Sequence, residues 1–173
     1  YLEYLPDPII PYRGARYYQE VLLEKAPGAT LISSDIILPG RVASGEAFAY
    51  DVVGVATRGH DLEGRLLFQD VMLLEPGRTG LESAGCLGGY SAVGTLFVLT
   101  EAVPVPALVD AMAGSYPTGT ETAIGASALP NNCGAVARVL SRSSRGAQDA
   151  ITATWAAARR LLLGEGLPEL RKY

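Results

Sequence analysis

Short β-like runs, separated by clusters of glycine and proline, dominate the first two thirds of this chain of 173 residues. The clusters read "APGA", "LPGR", "RGHDLEGR" and "EPGRTG", which are typical of β-turns. The runs predict strands over residues 19–25, 30–37, 46–57, 65–74 and 91–100. The run 30–37 has apolar residues at both odd and even positions, which predicts a strand covered on both faces. The polar stretch between the third and fourth runs predicts a hairpin, and the whole pattern predicts a mainly β fold.

Two helices are expected toward the C-terminus of the chain. The first is "PVPALVDAMAGSYP", with proline near its start and Gly114 near its end. The second is "SSRGAQDAITATWAAARRLLLGEG", which Ser143 or Ser144 can cap and which Gly164 ends. Between the two helices, "TAIGASALPNNCGAVARVLS" predicts one or two more strands around an Asn-Asn turn.

The second helix carries an apolar stripe on one face. Residues spaced three or four apart form it: Ile151, Trp155, Ala158 and Leu162. Such a stripe serves either core packing or contact with a partner protein. Both readings stay open, and these four residues are our candidate for a partner-facing helix.

The charge balance and residue usage exclude several classes of protein. The net charge is −4, from 14 basic and 18 acidic residues, whereas nucleic-acid binding needs clustered Lys and Arg. No uninterrupted apolar stretch of about 18 residues predicts a membrane span. No leader is recognisable, so we expect a cytoplasmic protein. Cys86 and Cys133 lack a CxxC spacing, which indicates two buried free thiols in a reducing compartment. With the single His60, they do not supply a closed structural metal site.

The stretch "LPGRVASGEAFAY" has the glycine spacing of a phosphate-binding P-loop, at Gly40 and Gly45. A P-loop needs Lys and then Ser or Thr directly after the second glycine, but Glu46 and Ala47 stand there. A carboxylate at this position would repel a triphosphate. We therefore exclude a nucleotide site and expect the glycines to permit a tight turn between strands.

Three acids stand inside apolar stretches. Asp7 lies between prolines in "LPDPIIP", Asp35 lies within "TLISSDIIL", and Glu46 begins "EAFAYDVVGV". A buried carboxylate is costly unless it is paired, solvated or bound to a cation. One alternative is a structural ion pair, with Arg41 as the obvious partner. The other is a polar channel or a weak path of oxygen ligands for a hard cation.

Signals for an enzyme are sparse. No GxSxG nucleophile elbow is present, and nothing in the sequence supports a pairing of Cys86 with His60. A small-molecule hydrolase that uses Asp7, Glu46 or Asp35 as acid and base remains an alternative. It predicts a pocket with two carboxylates about 5–10 Å apart. A β-structured binding module without a metal function is a further alternative.

Four stretches in combination resemble the urease accessory protein family UreD, also called UreH. They are "EYLPDPIIPYRGARYYQ", "LISSDIILPGRVASGEAF", "GGYSAVGTLFVL" and "RRLLLGEGLPELRKY". The resemblance covers the chain as one domain, 1–173, and matches the middle and C-terminal part of the family. We expect the family's N-terminal β-rich portion, roughly a hundred residues, to lie outside this chain. The resemblance implies many short strands stacked in a helical β arrangement, with two helices that help contact the partner protein UreF.

The resemblance also implies a function. Family members are not enzymes but chaperones, which bind apo-urease, form a complex with UreF and the GTPase UreG, and deliver nickel to the urease active site. Glu46 and Asp7 match acidic positions of family motifs whose carboxylates are thought to line a passage for nickel, and Asp35 and Glu3 lie in the same motifs. No metal is then bound tightly, because exchangeable oxygen ligands hold nickel loosely.

Overall fold

The computed structural model describes residues 1–78 and 80–168, and consists of two open β-sheets packed face to face, with two helices on the larger sheet. The predicted mainly β class with two helices is confirmed. The closing motif extends to residue 173, so its last five residues lie outside the described part. The strands are β1 Leu2–Tyr4, β2 Arg16–Lys25, β3 Leu31–Ile37, β4 Gly40–Arg41, β5 Glu46–Ala47, β6 Val52–Asp61, β7 Leu66–Leu74, β8 Ala92–Leu99, β9 Thr122–Ala128 and β10 Gly134–Ser141, and the helices are α1 Val105–Ala113 and α2 Ser144–Leu163.

The large sheet has the strand order β1-β3-β8-β10-β9, and the small sheet has the order β2-β6-β7. β1 pairs with β3 in parallel, and the other pairs of the large sheet are antiparallel. β2 pairs with β6 in parallel, and β6 pairs with β7 as the predicted antiparallel hairpin. β4 and β5 form a separate two-stranded ribbon.

The large sheet is covered on both faces. Every residue of β3 and of β8 is buried, which explains why the run 30–37 has apolar residues at both odd and even positions. One face packs on α1 and α2 through a core that includes Ile32, Leu96 and Val139. The other face packs on the small sheet. The central strands of the large sheet are therefore fixed from two sides.

Helix α2 begins and ends at the expected residues. The Ser143 side chain accepts a hydrogen bond from the Gly146 amide at 3.0 Å, and Gly164 adopts the left-handed conformation after the last turn. Ile151, Trp155 and Ala158 are buried against the large sheet, and Leu162 packs at the edge of the same core. The structure thus corrects the expected partner-facing role of this stripe, because its side chains fill the core.

The predicted strand 46–57 is divided. β5 ends at Ala47, and β6 begins at Val52. Phe48 has a positive φ of 52°, and its amide donates to the Pro39 carbonyl at 2.7 Å, so the chain turns there. Within the described residues, neither helix combines the length and the apolar character that crossing a bilayer requires.

Candidate functional site

Four polar residues lie between the two sheets and define what we call the polar layer: Asp35, Thr95, Arg138 and Asp70. Asp35, Thr95 and Arg138 occupy directly opposite positions on β3, β8 and β10. Opposite residues of an antiparallel pair point to the same face, so all three face the small sheet. Asp70 reaches them from β7.

The polar layer separates two apolar clusters. One cluster includes Ile37, Val93 and Leu74, and the other includes Leu31, Phe97 and Phe68. In each of β3, β8 and β7, the polar residue lies in the chain between members of the two clusters. The interior between the sheets is therefore apolar at both ends and charged in the middle.

Arg138 connects the two sheets. Its Nη1 donates to Thr95 Oγ1 at 3.0 Å, and its Nη2 donates to Asp70 Oδ1 at 2.7 Å. The Arg138 side chain is 36% exposed and also lines a cavity of about 350 Å³ between β7, β10 and the loop before β8. Arg138 is thus the only one of the four residues that both holds the layer together and lines this cavity.

Asp35 is the most unusual acid of the polar layer. It is 6% exposed, and its Oδ1 has no hydrogen-bond partner among the residues that the structure describes. Burial raises the pKa of Asp35 to about 6, and the Asp70 carboxylate adds to the increase. The Arg138 guanidinium and the Thr95 hydroxyl act in the opposite direction but do not outweigh burial. Asp35 therefore has an unused acceptor inside the protein.

Glu3 lies on the other side of the large sheet, at the edge strand β1. Its carboxylate accepts hydrogen bonds from Trp155 Nε1 at 2.7 Å, Arg159 Nη1 at 2.5 Å and the Tyr1 hydroxyl at 2.9 Å. Burial acts to raise the pKa of Glu3, but these hydrogen bonds outweigh it and hold the pKa below its ordinary value. Glu3 is a paired structural acid in this arrangement.

Glu46 lies in the ribbon, next to the turn that carries the P-loop-like spacing. Arg41 donates to both of its carboxylate oxygens, each at 2.8 Å, and this ion pair lowers the pKa of Glu46. Gly40 has a φ of +122° and Gly45 a φ of +71°, so both glycines adopt backbone angles that side chains disfavour. The Arg41 guanidinium also lies over the Tyr12 ring, 4.5 Å from its centroid.

Asp7 lines a cavity of about 260 Å³ between the N-terminal segment and α2, together with Trp155 and Ile36. Neither Asp35 nor Glu46 lines this cavity. The four predicted acids are therefore not brought into one site: Glu3 and Asp7 lie near Trp155, Asp35 lies between the sheets, and Glu46 lies at the ribbon. Within residues 1–78 and 80–168, no group of three or more His, Cys, Asp or Glu is placed to hold a metal ion.

Sequence reasoning missed Arg138, Asp70 and Thr95. Arg138 interrupts the apolar run "AVARVL", and Asp70 interrupts "LLFQDVMLL". The signal that singled out Asp35, a charge inside an apolar strand, was present at both positions. Both cysteines are free thiols, as predicted, but the expected burial is wrong, because Cys86 is exposed and Cys133 is half-buried.

Comparison with known proteins gives a consistent result. A family model described as UreD urease accessory protein matches residues 1–172. Urease accessory protein UreD 2 of Streptomyces griseus is 42% identical over 99% of this chain and 59% of its own length. The UreD proteins of Photorhabdus laumondii and Cenarchaeum symbiosum are 34% and 37% identical over 98% and 99% of the chain. The chain spans 53% and 60% of these two relatives.

Proposed function

This chain belongs to the UreD family of urease accessory proteins, and on that premise we propose that it acts as a maturation chaperone for urease. In this proposal it binds apo-urease together with UreF and UreG and helps to deliver nickel, without catalysing a reaction itself. The match of the family model over residues 1–172 carries the proposal. Because the chain spans 53–60% of these relatives, the partners and the activity of the whole protein are part of the proposal.

The outer face of the small sheet supports a role in binding other proteins. Tyr18, Gly54 and Leu73 stand opposite one another across its three strands. The Tyr18 ring lies against Gly54, where an added Cβ would come within 2.8 Å of it. Tyr18 is 66% exposed and Leu73 is 53% exposed. An exposed row of aromatic and aliphatic side chains is typical of surfaces that contact proteins.

The polar layer supports a role in handling nickel. Asp35 keeps a buried carboxylate oxygen without a hydrogen-bond partner among the described residues, so this oxygen is available to a cation. Oxygen donors alone hold Ni²⁺ more weakly than imidazole or thiolate donors, which suits a protein that passes nickel on. Glu3 and Glu46 are each paired with arginine, which supports structural roles for them. Asp7 stays a candidate at its own cavity.

The test measures nickel in urease purified from cells that express apo-urease and the partner proteins with this chain or its variants. Asp35→Asn is expected to lower the nickel content and activity of urease severalfold, while pull-down shows normal assembly. Asp149→Asn is the matched control, because Asp149 forms an exposed pair with Arg145 on α2, away from the polar layer. Asp7→Ala and Glu46→Gln extend the comparison to the other acids.

The outcomes separate the alternatives. Normal assembly with reduced nickel places Asp35 on the transfer route. Normal nickel with every variant would contradict the passage and leave a binding module without a metal function. A chain that binds neither apo-urease nor the partner proteins would contradict the chaperone role itself.

A further inference from the structure

We propose that Arg138 is the resident counter-ion of a divalent-cation site formed by Asp35 and Asp70, and that its guanidinium must move aside before the cation binds. The inference rests on the proposed function, because it specifies how the same polar layer would admit nickel. It assigns the regulating role to a residue outside the four acids named from sequence.

The charges of the polar layer favour a cation. Two carboxylates, Asp35 and Asp70, face one guanidinium, so the layer carries a net charge of −1 when both acids are ionised. Asp70 is hydrogen-bonded to Arg138, whereas Asp35 is affected by Arg138 through its charge and keeps Oδ1 without a partner among the described residues. A single arginine therefore compensates the two acids incompletely.

The donors of the layer are suited to a hard or borderline cation. Asp35 and Asp70 supply carboxylate oxygens, and Thr95 supplies a hydroxyl that now accepts from Arg138. The guanidinium holds Thr95 and Asp70 at once, so it occupies the space that a cation bridging these oxygens would take. Two carboxylates are few for a tight site, so the expected affinity is that of an exchangeable one.

Arg138 has a place to which it can move. The cavity of about 350 Å³ beside it is lined mainly by apolar side chains, among them Val71, Leu73, Leu81 and Leu87. The aliphatic stem of arginine packs well on such a surface while the guanidinium stays in water. Because the side chain is already 36% exposed, the movement does not require burial of a new charge. When the cation enters and the Arg138 guanidinium leaves, one positive group thus replaces another beside the carboxylates of Asp35 and Asp70.

The test is a calorimetric titration of the purified chain with Ni²⁺ alone at neutral pH. Arg138→Gln removes the positive charge and keeps a hydrogen-bond donor, so it is expected to lower the dissociation constant for Ni²⁺ on the order of tenfold or more. Arg138→Lys keeps the charge and is expected to show no gain. Arg142→Gln is the matched control, because Arg142 is exposed and bonds the Thr120 carbonyl instead of the layer. The double variant Asp35→Asn/Arg138→Gln is expected to lose the gain.

Each result decides the inference. A gain that appears with Arg138→Gln and disappears in the double variant supports it, and a folded Arg138→Gln chain without a gain overturns it. Arg138→Met repeats the comparison if the Gln variant does not fold. If neither neutral variant folds alone, recovery of the fold on refolding with Ni²⁺ supports the site, and equal failure with and without Ni²⁺ overturns it. A further outcome combines the two tests: Arg138→Gln gains Ni²⁺ binding in the titration, while Asp35→Asn loads urease with nickel normally in cells. That result would support the cation site but contradict the proposed nickel passage.

Discussion

Arg159 donates a hydrogen bond of 2.5 Å to Glu3, a residue 156 positions earlier in the chain. Both side chains are largely buried, with 9% of Arg159 and 16% of Glu3 exposed. Arg159 Nε also donates to the Gly166 carbonyl at 2.9 Å. The pair therefore fixes three segments to one another: strand β1, helix α2 and the residues that follow the helix.

Arg159→Met is expected to lower the free energy of unfolding by about 2–4 kcal/mol, because it leaves the Glu3 carboxylate without its positive partner. Arg160→Met is the matched control at the next, exposed position, with an expected change within about 0.5 kcal/mol. Urea unfolding at neutral pH measures both. Since the pKa of Glu3 is lowered, the contribution is present above its ordinary pKa of 4.5 and is lost in acid. Equal losses in the two variants would contradict the role of the ion pair.

Gly40→Ala is expected to destabilise the ribbon strongly, by about 3 kcal/mol or more. A Cβ at Gly40 would lie 2.3 Å from the Glu46 carbonyl oxygen, and the φ of +122° is disfavoured for alanine as well. Gly45→Ala meets nothing within 4 Å, so only its φ of +71° opposes it, at about 1–2 kcal/mol. Urea unfolding of the two variants checks the difference, and similar losses would show that the close contact is relieved by movement of the ribbon.

Asp35→Asn is expected to stabilise the chain at neutral pH by about 1–3 kcal/mol. The folded state raises the pKa of Asp35 from 3.8 to about 6, so it disfavours the ionised form. In the parent chain, the stability that the neutral acid provides is therefore complete below the unfolded pKa and is lost as the pH rises through about 6. The advantage of the Asn variant should shrink as the pH falls from about 7 to about 4.

Unfolding both chains in urea at several pH values tests this prediction. An advantage that does not change with pH would mean that titration of Asp35 does not cause it. A variant that is more stable but loads less nickel into urease would show that the acid is kept for function at a cost in stability.

Leu73→Lys is expected to reduce self-association of the isolated chain, because it places a charge in the exposed apolar row of the small sheet. Gln69→Lys is the matched control on the same strand and face, where no exposed apolar side chain is removed. Size-exclusion chromatography with light scattering compares the two at equal concentration. Unchanged association in Leu73→Lys would show that this face does not drive it.

Much of the architecture could be predicted from local patterns. The runs 30–37 and 91–100 correspond to β3 and β8 within one residue at each end, since strands buried on both faces carry apolar residues at both odd and even positions. β1 was missed because it has three residues and is held by the distant bonds of Glu3. The break after Ala47 was missed because Phe, Ala and Tyr give no sign of the turn at Phe48.

The candidate site was less predictable than the fold. Asp35 stood out because it interrupts an apolar strand, and the pairing of Arg41 with Glu46 follows from their closeness in sequence. The link between Arg138 and Asp70 depends on how the two sheets are placed over each other. The residue pattern of a single strand does not indicate how one sheet packs on another, so the polar layer could be recognised only from the three-dimensional structure.

The separation of Glu3 from Arg159 also has a consequence for synthesis on the ribosome. At about 5–20 residues per second, the ribosome needs roughly 8–31 s after Glu3 to add Arg159. During that interval Glu3 lacks the arginine that pairs with it, so strand β1 is not yet held to helix α2. Strand β1 is thus expected to take its final position late, only after helix α2 has been synthesised.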